Sequence, residues 1–347
     1  MAEPVTLSRK DFSSDQEVRW CPGCGDYSVL TAVQLLLPEI GILPQNQVFV
    51  SGIGCSSRFP YYMNTYGVHS IHGRAPAFAT GIAAARPDLD VWVVTGDGDG
   101  LSIGGNHLIH ALRRNINITI LMFNNQIYGL TKGQYSPTSE VGKVTKSTPF
   151  GSIDHPFNPI SVALGAEASF VARTHDMDRK HMTEVFRRAN AHQGASFVEI
   201  YQNCNVFNDG AFDAVVAKDS RADMLIDLHH GEKIVFGADG EHGVMLDEFG
   251  EAHVVSVADV GLEKILVHDE QRPEPSLAFA LSRLASGPYE PTPVGIFRAI
   301  ERPSYEIELS RQLAELDQGT CLLACVFQGV DQQVLQRDPR EAGIAPR

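Results

Sequence analysis

Gly96-Asp97-Gly98-Asp99-Gly100 places two carboxylates among three glycines, directly after the β-branched run Val91–Thr95. Glycines let backbone N–H groups come close to a phosphate, and a helix predicted to begin near Ser102 favours negative charge at its start. Two carboxylates beside a phosphate repel it unless a cation intervenes. A hard divalent ion takes such oxygen ligands and bridges to phosphate oxygens. Twenty-eight residues after Asp97, past one helical and one strand-like segment, Asn124-Asn125 offers a further side-chain carbonyl at Asn125. A bare Gly-Asp-Gly is more often a plain turn. The triplet followed by helix, strand and Asn-Asn is far more specific, and the rival phosphate loop G-x-x-x-x-G-K-[ST] is absent here.

Four cysteines make a second constellation. Trp20-Cys21-Pro22-Gly23-Cys24-Gly25 is a Cys-x-x-Cys knuckle, Cys55 follows Gly54 in Gly52–Arg58, and Cys204 stands alone. A single Cys-x-x-Cys serves zinc, redox or iron–sulfur chemistry. A zinc ribbon wants a second such pair, which the chain lacks. Four thiolates from three loops suit a cubane cluster, yet spacing alone leaves cluster, zinc and structural thiols of comparable weight. Cys321 and Cys325, in Leu-Leu-Ala-Cys-Val-Phe, read as inert core thiols. Arg58 lies three residues past Cys55, and His72-Gly73-Arg74 precedes a helix. Such residues are ordinarily a core histidine and surface arginines. Here their neighbours make them candidates to bind an anionic substrate, Arg58 by gripping a carboxylate.

Strands and helices must bring these groups together. Val48–Ile53, Val91–Thr95, Asn117–Phe123 and Ser196–Tyr201 are short, mostly continuous apolar runs that suit parallel strands buried on both faces, and Ala168–Val171 is a further candidate. Between them lie helical patterns: Tyr27–Leu37, expected to stop at Pro38, then Ala75–Arg86, His107–Arg114 and Met177–His192. The rhythm predicts an α/β fold with a doubly wound, mainly parallel sheet. Every chemically interesting residue on that sheet follows the carboxyl end of a strand, where open α/β sheets bind ligands. Beyond the turn Asn208-Asp209-Gly210, Lys233–Phe236, the glycine-rich patch Gly237–Gly243 and Ala252–Val257 form a mixed region. Arg272–Pro275 and Pro288–Pro293 read as loops.

The 347 residues are 43% hydrophobic and 20% charged, which excludes a disordered chain or a disulfide scaffold. Residues 1–20 lack an apolar core and no run approaches a membrane span, so the expectation is a cytoplasmic protein with reduced thiols. Of the net charge of −14, residues from Arg221 onward hold 22 acidic against 11 basic side chains, an excess that argues against nucleic acid as partner. Acidity for solubility is its simplest reading.

Together these segments resemble the β subunits of the 2-oxoacid:ferredoxin oxidoreductases, most closely the two-subunit 2-oxoglutarate type. The resemblance rests on Trp20–Gly25, Gly52–Arg58, His72–Ala75, Gly96–Ala111, Asn124–Thr131, Cys204–Gly210 and Val267–Glu270. It implies a thiamin-diphosphate-binding fold of the diphosphate-domain type over residues 1–210, with 211–347 as an acidic extension on the core or a partner. It implies Mg²⁺ held by Asp97, Asn125 and the carbonyl of Ile127, and a cofactor site including Gly54, Cys55, Gly96, Gly98, Asp99 and Tyr128. It implies a [4Fe–4S] cluster on Cys21, Cys24, Cys55 and Cys204, with Arg58 and His72 facing the substrate. Asn203 departs from the proline expected before the last cysteine. The implied reaction is CoA-dependent oxidative decarboxylation of 2-oxoglutarate to succinyl-CoA, or its reverse, with two one-electron transfers and ferredoxin taking the electrons. The aminopyrimidine half of the cofactor site is missing and must come from an α subunit, in an α2β2 assembly. The same chemistry on pyruvate or another 2-oxoacid is the near alternative. A non-catalytic iron–sulfur or zinc scaffold leaves Gly96–Gly100 and Asn124-Asn125 unexplained, and a decarboxylase without redox chemistry leaves the cysteines unused.

Overall fold

The computed structural model describes residues 6–284 and 290–317. The described residues up to Tyr305 belong to one compact unit, and residues 306–317 belong to a second. Cys321 and Cys325 lie outside the described residues.

The strands are β1 (Gln47–Ser51), β2 (Tyr66–His69), β3 (Asp90–Gly96), β4 (Ile118–Asn124), β5 (Phe170–His175), β6 (Ala195–Tyr201), β7 (Leu225–Leu228), β8 (Val235–Phe236), β9 (His242–Leu246), β10 (Ala252–Ser256) and β11 (Thr292–Ala299). Eight of them make one sheet in the order β2-β1-β3-β4-β6-β5-β11-β7. It is parallel except where β11 meets β5. From β1 the chain steps outward to β2, then returns to the other side as β3. The crevice at the carboxyl ends of β1 and β3 is therefore the switch point where such sheets take ligands.

The central strands bury both faces because both sets of alternating side chains are apolar. Val48, Val50, Val91, Val93, Ile118, Ile120 and Met122 share one core with α2 (Ala75–Ala85), α4 (Gly105–Arg113) and α5 (Pro159–Gly165). Phe49, Trp92, Val94, Leu121, Phe123, Val198 and Ile200 share the other with α1 (Asp26–Ile40) and α6 (Arg179–Ala191). Each such buried side chain contributes about 1.5–3 kcal/mol. Phe49 stacks on Trp92 with centroids 5.7 Å apart, which pins β1 to β3 just below the crevice.

Several sequence expectations need correction. Pro38 does not stop α1, which runs on to Ile40 and closes where Gly41, at φ 77°, donates its N–H to Leu37. A proline in the last turn removes one hydrogen bond, which the packing of α1 on the sheet outweighs. The helix expected near Ser102 begins at Gly105, and a short helix precedes it. That preceding helix, α3 (Asp97–Leu101), starts at Asp97 itself, and α4 follows after a break. Part of Pro288–Pro293 is strand, because β11 includes Pro293, and a bulge between Ile296 and Arg298 follows it. β7 and β11 complete the main sheet, while β8, β9 and β10 form a small antiparallel sheet. β2 escaped the pattern because it is a mostly exposed edge strand of four residues.

Histidine burial gives the fold a pH dependence. His192 follows α6, with Nε2 2.7 Å from Ser169 Oγ, and burial first, with Arg302 adding, pushes its pKa from 6.5 down to about 4. The unfolded chain then takes up this proton first, so the stability contributed is full above pH 6.5 and is lost as pH falls toward 4. His192→Gln should flatten the decline of Tm between pH 6.5 and 4 while leaving Tm at pH 8 nearly unchanged. Thermal unfolding across that range checks it.

Candidate active site

Asp97 opens α3 at the end of β3 and is almost completely buried. Its Oδ2 accepts hydrogen bonds from Ser136 Oγ at 2.5 Å and Thr138 Oγ1 at 2.6 Å, and no cationic side chain among the described residues pairs with it. Burial pushes its pKa up to about 6. A buried carboxylate met by neutral hydroxyls and backbone N–H groups, with no positive side chain beside it, suits a cation. Thr138 also lies 3.0 Å from Asn124 Oδ1, and Asn124 Nδ2 donates to Glu199 Oε1 at 2.7 Å. Glu199 in turn pairs with Arg173 on β5 at 2.7 Å, fully buried. The end of β4 is thus wired into the sheet core.

Asn125 turns the chain out of β4. Its Oδ1 accepts from Ile127 N–H at 3.2 Å and its Nδ2 donates to Gln202 Oε1 at 2.9 Å. Gln126 takes φ 56°, and Asn208 Nδ2 holds the Asn125 carbonyl at 2.9 Å. Tyr128 reaches back to donate its hydroxyl to Gly98 O at 2.9 Å, so closely that a Cβ on Gly98 would lie 2.2 Å from the ring. The turn after β4 is therefore tied to the start of α3 twice, through Thr138 between Asp97 and Asn124 and through Tyr128 on Gly98, and oxygen donors such as the Asp97 carboxylate fit a hard divalent ion. Gly96 caps α3 beside Ser56.

Asp99 behaves differently from Asp97. Its Oδ1 accepts from Ile53 N–H at 3.1 Å and Gly73 N–H at 2.7 Å, and its Oδ2 from Thr95 Oγ1 at 2.7 Å. His72 Nδ1 approaches Oδ1 to 2.8 Å without the angle of a hydrogen bond. Asp99 staples the loops after β1 and β2 to α3. Asp99 is thus satisfied by donors of the chain itself, which sets it apart from Asp97.

The cysteine knuckle is tethered to the end of β6: Gly25 N–H donates to Asn203 O at 3.1 Å, and Asn205 Nδ2 to Pro22 O at 2.6 Å. Cys55 follows β1, its carbonyl accepting from Trp20 Nε1 at 2.7 Å. A Cβ built on Gly129 would stand 3.5 Å from Cys204 Sγ and 3.7 Å from Cys55 Sγ. One loop thus carries Asn125 at one end and contacts two thiols at the other. Burial, then the charge of Asp26, pushes the Cys55 thiol up to about 12, with Cys204 and Cys21 adding to it. The same causes raise Cys24, where Cys204 and Cys55 contribute too. Buried thiols such as Cys24 and Cys55 ionise most readily on binding a metal. Among the described residues, the ligand-atom groups gathered within 4.8 Å of one another contain no cysteine.

Asn203 earns its place by its backbone, which donates to Asp176 Oδ2 at 2.8 Å, a bond no proline could make. Arg58 lies in a turn of 3-10 helix, Ser56–Tyr62, on a cavity of about 500 Å³ lined also by Gly54, Arg19, Tyr61 and His69. Its side chain forms no ion pair among the described residues. Sequence reasoning missed Gln202, Ser136, Thr138 and the buried Asp26 beside Cys24. Gln202 left a usable signal, a polar residue between an apolar strand and the last cysteine; Ser136 and Thr138 left none.

Residues 46–200 match the family described as thiamine pyrophosphate enzyme, C-terminal TPP binding domain. The chain is 61% identical over 326 residues to the 2-oxoglutarate oxidoreductase subunit KorB of Mycobacterium tuberculosis, covering 93% of this chain and 87% of that one. It is 45% identical over 192 residues to the 2-oxoacid:ferredoxin oxidoreductase subunit beta of Saccharolobus solfataricus, 55% of this chain and 63% of that one. The chain belongs to the β subunits of the 2-oxoacid:ferredoxin oxidoreductases. A solved family structure, the 2-oxoglutarate:ferredoxin oxidoreductase from Magnetococcus marinus with 2-oxoglutarate, coenzyme A and succinyl-CoA bound, superposes with TM-score 0.74 at 31% identity, covering 97% of this chain and 98% of that one. As a β subunit of this family the chain is one component of a heteromeric, thiamin-diphosphate-dependent oxidoreductase, with an α subunit as its partner. No helix among the described residues is long and apolar enough to cross a membrane.

Proposed function

We propose that this chain is the β subunit of a CoA-dependent 2-oxoglutarate:ferredoxin oxidoreductase, forming succinyl-CoA or running in reverse. The observation that carries the proposal is the loop Asn125–Gly129, which joins the buried, cation-seeking Asp97 edge to the sulfurs of Cys55 and Cys204. Asp97, Asn125 and the Ile127 carbonyl would hold Mg²⁺ on the diphosphate, and the four cysteines a [4Fe–4S] cluster. When bound, thiamin diphosphate supplies the nucleophilic carbon and the electron sink for loss of CO₂, and the cluster a one-electron acceptor. The chain's own residues do the rest. Gly98 leaves room for the Tyr128 ring, which covers the α3 backbone, Asp99 fixes the loops and Arg58 would meet a substrate carboxylate. Ferredoxin as electron partner, an α2β2 assembly and a cytoplasmic setting complete the reading.

The test is composition of the purified complex with its α subunit. About four irons and matching acid-labile sulfide per β chain, with thiamin diphosphate released on denaturation, are expected. Stoichiometric zinc without labile sulfide would overturn the cluster, and absence of thiamin diphosphate the whole reading.

A further inference from the structure

Gln202 is 1% exposed and sits between the two candidate centres, touching a proposed ligand of each. Its Oε1 accepts from Asn125 Nδ2 at 2.9 Å, and its Nε2 lies 3.3 Å from Cys24 Sγ and 2.5 Å from Asn203 O. Its backbone N–H donates to Asn124 O at 2.9 Å, extending the β4–β6 pairing by one residue. That bond sets where the side chain starts. The polarity of the chain of amides is then forced. Ile127 N–H occupies Asn125 Oδ1, so Asn125 turns its NH₂ toward Gln202. Gln202 must answer with its oxygen, which leaves its NH₂ for Asn203 O and the Cys24 sulfur.

We propose that Gln202 is a positioning residue that couples the two centres, resting on the cofactor assignment above. Toward the metal, it holds the Asn125 amide so that Oδ1 keeps a lone pair free for the cation. Toward the cluster, it donates an N–H to a ligand sulfur. Reduction adds negative charge to the cluster, and a hydrogen bond to sulfur stabilises that charge, raising the reduction potential. Burial excludes water that could replace either bond. One side chain therefore sets cofactor affinity and cluster potential together.

The experiment uses the complete complex, as wild type, Gln202→Leu and Gln202→Glu. Leucine removes both bonds without adding charge. Glutamate keeps an acceptor for Asn125 but has no N–H for Cys24. Cluster potentials are read by redox titration followed by electron paramagnetic resonance. Cofactor affinity is read by titrating cofactor-stripped complex with thiamin diphosphate and Mg²⁺. For Gln202→Leu a more negative potential and an affinity loss of about 10-fold or more are expected. For Gln202→Glu the potential falls while affinity stays within about 2-fold of wild type. Should the leucine variant lose its cluster or fail to fold, the glutamate pattern carries the test. An unchanged potential in a cluster-bearing variant, or equal affinity losses in both, overturns the proposal. A wild-type complex lacking iron or thiamin diphosphate would instead strike the cofactor assignment.

Discussion

Asp97→Asn is expected to weaken Mg²⁺-dependent binding of thiamin diphosphate by about 100-fold or more, equivalent to about 2.7 kcal/mol, and to abolish turnover at ordinary cofactor concentrations. The reason lies in what surrounds the carboxylate. Ser136 and Thr138 supply hydroxyls, and no side chain among the described residues supplies positive charge, a setting that suits a metal. Asparagine still accepts those hydrogen bonds but removes the charge that holds the cation. The cofactor-free chain should respond in the opposite sense. Burial penalises an uncompensated anion, so the variant without cofactor should melt no lower than wild type. Titration with Mg²⁺ and thiamin diphosphate, paired with thermal unfolding without them, reads both effects. Unaltered cofactor affinity would place the metal elsewhere, and a large drop in melting temperature would make Asp97 a structural residue.

Arg58→Ala should lower kcat/KM for 2-oxoglutarate by roughly 30- to 1,000-fold, about 2–4 kcal/mol of transition-state stabilisation, and lower any residual pyruvate turnover much less. Arg58 stands three residues after Cys55, and its backbone N–H bonds the Cys55 carbonyl at 3.2 Å, so its loop cannot drift from the thiols. Its cavity contains Arg19 and His69 as well, while Glu17, on the same wall, is already paired with Arg19. That leaves Arg58 to meet a carboxylate from the substrate. 2-Oxoglutarate brings a second carboxylate and pyruvate does not. Parallel losses on both substrates would move Arg58 to the carboxylate beside the oxo group, and no loss would show that the cavity is not the substrate site.

The sequence was sufficient for the central strands of the sheet and for the kinds of chemistry. Val91–Thr95 and Asn117–Phe123 announce buried parallel strands because a strand covered on both faces has nowhere to place polar side chains. Gly-Asp-Gly, Asn-Asn and the cysteines are legible because a phosphate, a hard cation and a thiolate centre each accept few residue types. That Gly96–Gly100, Asn124-Asn125, Cys55 and Cys204 share one sheet edge also follows, since each comes after a strand. What the sequence could not decide are relations between residues far apart along the chain. Asp97 and Asp99 look alike as letters, and only their neighbours, Ser136 and Thr138 for one, Ile53 and Gly73 for the other, separate a candidate ligand from a staple. Asn203 looked like a departure until its N–H was seen on Asp176. β11 carries a proline, a glycine and a bulge, and it is a strand because β5 and β7 flank it. Gln202 meets Asn125 across 77 residues and Cys24 across 178. Local pattern reports what a residue can do; the closure of long loops, which no short window contains, decides which partners it does it with.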